Sequence, residues 1–196
     1  MLKDTARPGG AIRPATAADL PAVARLCTAH AAYERADPPP ADLATRLEPV
    51  LFSARPRAWC LVVELGDELI GYASYSREFS TWQAADHIHL DCLFVTEPHR
   101  GQGWGHALLD AVKDAAAARR AAHVQWQTPD WNTGAIRFHH RAGARSRPKV
   151  RFSLPVGPPE DPPRPPVDGH VGAAGGRAPL HGEAGPGAGR HGTHLR

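Results

Sequence analysis

The chain has 196 residues, 42% of them hydrophobic, with 23 Lys and Arg against 20 Asp and Glu and a formal net charge of +3. That length suits one domain, and that apolar share is enough to bury a core. So slight a positive balance, with no Lys/Arg-rich run interleaved with aromatics, argues against a nucleic-acid partner. The short basic stretch from Arg141 to Arg151 reads as a solvated strand edge or a phosphate contact.

No apolar run approaches the roughly 20 residues that a membrane span needs. The opening MLKDTARPGG has no apolar segment of a secretion signal. Cys27, Cys60 and Cys92 are far apart and odd in number, so they read as free thiols in a reducing compartment. The expectation is a soluble, cytoplasmic protein with no membrane contact and no metal site.

In chain order, Ala11 to Pro14 is a short strand. Thr16 reads as a helix N-cap, and Asp19 three residues on completes a capping box. Leu20, Val23, Ala24 and Cys27 follow at helical spacing, so a helix is expected over 17–31. Pro38-Pro39-Pro40 forbids helix, and a second helix is expected over 41–51. Trp59 to Leu65 is a dense apolar strand, Gly66-Asp67 a turn, and Glu68 to Tyr75 the returning strand of a hairpin.

Residues 76–87 read as a polar loop. His87 to Val95 alternates and then turns wholly apolar, as a central strand does. Residues 105–121 place Leu108, Leu109, Ala111, Val112, Ala115 and Ala116 on one face, an amphipathic helix. Strand 124–128, helix 133–141 ended by Gly143, and strand 149–154 complete the order β-α-α-β-β-β-α-β-α-β, a mixed α/β fold.

Composition shifts after Leu154. Residues 155–196 hold 9 prolines and 10 glycines and no Phe, Trp or Tyr. Such a segment cannot bury enough apolar surface to offset the entropy of ordering, so a disordered tail is expected. Its histidines, His170, His181, His191 and His194, match no metal-site spacing. The domain expected is residues 10–154.

The chemistry concentrates in HRGQGWGHALL, residues 99–109. A strand, a glycine loop and a helix follow one another, which places backbone N–H groups and a positive helix end at the mouth of a central strand, a phosphate site. The pattern Gly101-x-Gly103-x-Gly105 fails the dinucleotide fingerprint G-x-G-x-x-G. It also lacks the G-K-[ST] of a P-loop. It does fit R-x-x-G-x-G through Arg100, Gly103 and Gly105.

That pattern resembles the pyrophosphate loop of the GNAT acyltransferase superfamily, which holds the diphosphate of acetyl-coenzyme A. A second segment, Asn132-x-x-Ala135-x-x-Phe138 with Gly143-Ala144 after it, is similar to the family signature N-x-x-A-x-x-F-Y-x-x-x-G. Further short stretches look like the polyamine (diamine/spermidine) acetyltransferase branch: Phe79-Ser80-Thr81-Trp82, Leu90 to Val95, Asp130-Trp131-Asn132 and Tyr33-Glu34. Aminosugar-modifying enzymes of the family share such matches.

The resemblance implies a mostly antiparallel central sheet flanked by helices. It implies direct acetyl transfer from acetyl-coenzyme A to the primary amine of a small cationic acceptor, a polyamine or an aminoglycoside-type aminosugar, by a homodimer. Leu93, Phe94, Val95, Arg100, Gly101, Gln102, Gly103, Trp104, Gly105, His106, Asn132 and Phe138 would bind the donor. A strand bulge at about Leu93 would turn the Phe94 and Val95 N–H groups to the thioester.

An alkylammonium with a pKa of about 10 must lose a proton before attack. Asp91 is the candidate base, acting through water, with His89 and His87 on the same strand face as possible relays or merely a polar face. His139 stands where the family has a tyrosine acid, and a histidinium there is one candidate to protonate the thiolate; water, or an impaired enzyme, is the other reading. Tyr33, Glu34, Glu78, Trp82, Gln125 and Trp126, with Asp91, would line the acceptor side. Two further functions stay open: a non-catalytic acetyl-coenzyme A sensor, and a protein or peptide acetyltransferase.

Overall fold

The computed structural model describes residues 9–157. The packing divides after Pro148, and among the described residues the helices and strands all lie in the first unit. Its elements are β1 (Gly10–Pro14), α1 (Leu20–Glu34), α2 (Leu43–Phe52), β2 (Ala58–Leu65), β3 (Glu68–Ser80), β4 (Ala85–Val95), α3 (Trp104–Ala118), β5 (Val124–Gln125) and α4 (Thr133–Arg141), with single 3-10 turns before α1 and before α3. One five-stranded sheet runs in the order β1-β2-β3-β4-β5. It is antiparallel except for β5, which runs parallel to β4.

Both faces of the sheet are covered, which explains the continuous apolar run of β2. Leu61 and Val63 point to one side, where Leu108, Val112 and Ala115 of α3 pack on them. Cys60 and Val62 point to the other, against Leu20, Val23 and Leu26 of α1 and Leu51 of α2. Each fully buried Leu or Val is worth about 1.5 to 3 kcal/mol.

The capping box before α1 forms as expected. The Asp19 carboxylate accepts from the Thr16 N–H at 2.7 Å and from its hydroxyl at 2.8 Å. Arg13 of β1 donates twice to the same carboxylate, and its Nε reaches Glu64 of β2 at 2.8 Å. One guanidinium therefore ties the first two strands to the start of α1, and it holds the Asp19 carboxyl well below the usual range.

Three expectations need correction. Residues 76–87 are mostly strand, not loop: β3 runs on to Ser80 and pairs with β4 from Ala85, leaving only residues 81–84 as the turn. Its polar side chains hid the strand because β2 stops opposite Ser76, so the hairpin tip has no core to face. Cross-strand pairs hold it there instead, an Arg77–Asp86 ion pair and a Glu78–His87 contact at 3.4 Å. The strand expected over 124–128 ends at Gln125. The strand expected over 149–154 does not form, since residues 149–157 carry neither helix nor strand. The tail beyond 157, with its four histidines, lies outside the described residues.

Candidate active site

The site begins where the sheet comes apart. β5 pairs with β4 only at Ile88–Val124 and His89–Gln125, and beyond that the two chains diverge. The far edge of residues 90–95 therefore has no neighbouring strand among the described residues. A cleft opens in that gap. Leu90, Asp91 and Leu93 form one wall and Trp126, Gln127 and Thr128 the other; His30, Tyr33 and Glu34 of α1 and Asn132, Ala135 and His139 at α4 close its remaining sides. Its empty space, including the part open to solvent, is about 460 Å³.

A bulge sets the chemistry of the β4 wall. The pairing steps from Tyr75–Leu90 to Ser74–Cys92, so Asp91 is the extra residue. The bulge thus lies at Asp91 and not at Leu93. It exchanges the two faces of the strand. Ile88 and Leu90 before it and Val95 after it all reach the α3 side, while Phe94 packs beneath α1. Asp91, released from the ladder, is exposed, with Ser74 Oγ 3.5 Å and Cys92 Sγ 3.6 Å from its carboxylate.

Main-chain direction follows. The Thr96 amide donates to Ile70 of β3 at 2.8 Å, while the Val95 carbonyl is taken by Arg100 Nε at 2.9 Å. Peptide groups alternate along a strand, so Leu93 and Val95 face the open edge. Phe94, expected to present its N–H there, faces β3 instead. Its ring is buried and stacks on His30 at 5.0 Å.

The glycine loop lies at the same end of β4. Gly103 caps α3 with a φ of 86°, in the left-handed region that suits glycine. At the N-terminus of this 15-residue helix the Gly105 and His106 amides have no acceptor within the helix, as an anion site requires. Arg100 is exposed, its guanidinium held 4.3 Å over the Tyr33 ring. Gly105 makes room for Phe138: a Cβ there would stand 3.3 Å from two ring carbons. Phe138 also lies 4.7 Å from the His106 ring and so braces the loop. Trp104, expected to touch the donor, is buried in the core with its indole beneath Gly10. The loop therefore fits a diphosphate through backbone N–H groups and Arg100.

Asn132 is the N-cap of α4. Its Oδ1 accepts from the Ala135 N–H at 3.1 Å and from the Tyr33 hydroxyl at 3.4 Å, which links α1 to α4 across the cleft. His139 packs against Trp126 with ring centroids 5.0 Å apart, and its Nδ1 is buried without a partner. Burial, and then the neighbouring His140, hold its pKa down at about 4. The ring is thus neutral at pH 7, which works against a standing histidinium acid.

Of the residues expected from the sequence, the fold brings Asp91, Tyr33, Glu34, Trp126, Asn132 and His139 to one cleft. It does not bring Glu78, which meets His87, nor Gln125, which hydrogen-bonds His123 at 2.6 Å. Trp82 sits in the hairpin turn, 99% exposed. The His87–His89–Asp91 relay does not form either. His87 is buried against Glu78 and stacks on His123, and neither histidine lines the cleft. Sequence reading missed His30, because a lone histidine in an amphipathic helix has no signature of its own.

The sequence profile of the Acetyltransferase (GNAT) family matches residues 25–144. Thialysine N-epsilon-acetyltransferase of Bos taurus is 28% identical over 142 residues, covering 68% of this chain and 83% of that one. L-ornithine N5-acetyltransferase NATA1 of Arabidopsis thaliana is 30% identical over 83 residues, 42% of this chain, which spans only 36% of that relative's length. Among solved structures, an aminoglycoside acetyltransferase from an uncultured soil metagenomic sample superposes with a TM-score of 0.64 at 17% identity, over 76% of this chain and 97% of the other, a likeness of fold. The splayed sheet, the loop at the head of α3 and a family match across more than half the chain agree: the chain belongs to the acetyltransferase (GNAT) family.

Proposed function

We propose that the protein moves an acetyl group from acetyl-coenzyme A directly to a primary amine of a small cationic acceptor. The observation that carries this reading is the placement of Asp91 and Glu34 in one cleft that also receives the open edge of β4. The donor supplies an activated thioester. The amides of Gly105 and His106 with the Arg100 guanidinium hold its diphosphate. The outward amides of Leu93 and Val95 hold the acyl arm and the developing oxyanion.

On the other side, the Asp91 and Glu34 carboxylates draw in an ammonium, and Tyr33 offers an aromatic face to it. The amine must lose a proton before it attacks, and Asp91 lines the wall of the cleft that would receive it. His139, neutral at rest, gives a proton to the leaving thiolate only after it has been charged during turnover. The named relatives act on lysine-like and ornithine amines, which supports a diamine-like acceptor over a peptide. We further assign the activity to residues 10–154, in a cytoplasmic homodimer.

Thiol release from acetyl-coenzyme A tests the reading across spermidine, 1,3-diaminopropane, ornithine, thialysine and an aminoglycoside. Turnover with at least one amine is expected. The neutral His139 at the tyrosine position favours one rival, a non-catalytic sensor. Cofactor binding by calorimetry without thiol release for any amine would establish that rival instead.

A further inference from the structure

His30 is the ionisable cleft residue that the mechanism above leaves unused. It projects from α1 into the same cleft as Asp91, with its side chain only 13% exposed. Its Nδ1 lies 3.1 Å from the Tyr72 hydroxyl of β3, and its Nε2 lies 3.6 Å from Glu34 Oε1. The first distance is a hydrogen bond. The second is longer than a normal hydrogen bond and sets the carboxylate where it can pair with a charged ring.

Accepting a proton at Nε2 requires the tautomer that carries its hydrogen on Nδ1. Burial pushes the Tyr72 phenol far up, so it keeps its proton, and the thiols of Cys27 on α1 and Cys92 on β4 act on its hydroxyl. When the phenol turns its proton to one of those thiols, its oxygen is free to accept Nδ1–H from His30. Nε2 is then the unprotonated nitrogen, and it lies on the Glu34 side. Two further charges act on the ring from other elements, Asp91 of β4 and Arg100 of the glycine loop. Burial is the largest influence and keeps the imidazole neutral.

Resting on the acetyltransferase reading, we propose that His30 is the proton acceptor for the substrate ammonium, with Glu34 stabilising the imidazolium and Asp91 orienting the amine. The balance is as follows. The N–H bond of the ammonium breaks and its proton moves to Nε2, directly or through one water, leaving the nitrogen lone pair to attack the thioester carbon. The C–S bond breaks as the tetrahedral adduct collapses. A second proton from the same nitrogen ends on the thiolate, and the first leaves Nε2 for solvent past Glu34, whose side chain is 34% exposed. Sequence spacing offers only Glu34, four residues on in the same helix, since Tyr72, Asp91 and Arg100 come from β3, β4 and the glycine loop.

The test is the pH dependence of kcat/KM for the wild type, His30→Gln and His30→Phe, with the best amine of the panel above. The Phe variant keeps a ring stacked on Phe94. Thermal melting and calorimetric binding of acetyl-coenzyme A report fold and donor site in each. General-base removal typically costs on the order of 100-fold or more, so that loss is expected at pH 7 with melting and donor affinity retained. It should shrink steadily towards pH 9.5, where more of the amine is already neutral. Glu34→Gln should move the acidic limb of the wild-type profile to lower pH, because an imidazolium without its carboxylate is less stable. A loss of equal size at every pH, or no loss in either variant, overturns the proposal while leaving the acetyltransferase reading intact. A wild type that acetylates no amine overturns both.

Discussion

Replacing Gly105 by Ala tests whether the glycine loop is shaped by its neighbour or only by its ligand. The added methyl would stand 3.3 Å from Cε2 and Cζ of Phe138, a few tenths of an ångström inside comfortable carbon contact. Two terms of opposite sign compete. Overpacking costs about 1 to 3 kcal/mol where neighbours are fixed. Exchanging Gly for Ala in a helix gains up to about 1 kcal/mol. Phe138 is half-buried and can yield partway, so the net expectation is a loss of about 1 kcal/mol. In a Phe138→Ala background the clash vanishes and the same change should stabilise by a few tenths to 1 kcal/mol. A double-mutant cycle by urea denaturation should therefore return a coupling of about 1 to 2 kcal/mol. The acetyl-coenzyme A Kd, by calorimetry, should weaken in the single variant as the first turn of α3 shifts, and recover in part in the double. A Gly105→Ala protein that is more stable than wild type with Phe138 present would refute the reasoning.

Three other outcomes follow from the structure. Asp19→Asn removes the carboxylate that Arg13 and Thr16 share, and it should cost about 2 to 4 kcal/mol in chemical denaturation. The folded Asp19 carboxyl is depressed relative to an unfolded value of about 3.9, so its contribution is full above roughly pH 5 and is lost as pH falls towards the folded-state value. The variant's stability should accordingly vary less with pH across that acid range than the wild type's. His139→Phe should lower kcat and His139→Tyr should restore part of the loss, read by steady-state thiol release; two variants that both match wild type would remove His139 from the chemistry. Trp82→Ala, at a side chain 99% exposed, should change stability by no more than about 0.5 kcal/mol. A larger drop that depends on protein concentration would show that a second copy covers the hairpin turn.

Local signals in the chain determined most of its elements and its glycine loop. The apolar run of Trp59 to Leu65 and the one-sided pattern of Leu108, Val112 and Ala115 specify a buried strand and an amphipathic helix by periodicity alone. Thr16 with Asp19 specifies a helix start by local hydrogen bonds, and Gly103 specifies a left-handed backbone by lacking a Cβ. Such interactions reach only a few residues along the chain, so sequence reading finds them.

What the tertiary structure decided depends on residues distant in sequence. The bulge falls at Asp91 because the β3 ladder shifts there, and that shift chooses which peptide groups face the cleft. β5 separates from β4 after two pairs, which makes the gap itself. Trp104, inside the glycine motif, is claimed by the core through Gly10. Glu78 and His87 met each other across β3 and β4 and Gln125 turned to His123, so all three left the site. His30 joined it, since Tyr72, Phe94 and Asp91 converge on the ring, beside Glu34 of its own helix, only once α1 lies across the sheet. A side chain's charge state and reach are set by what packs around it, and that is a property of the folded chain.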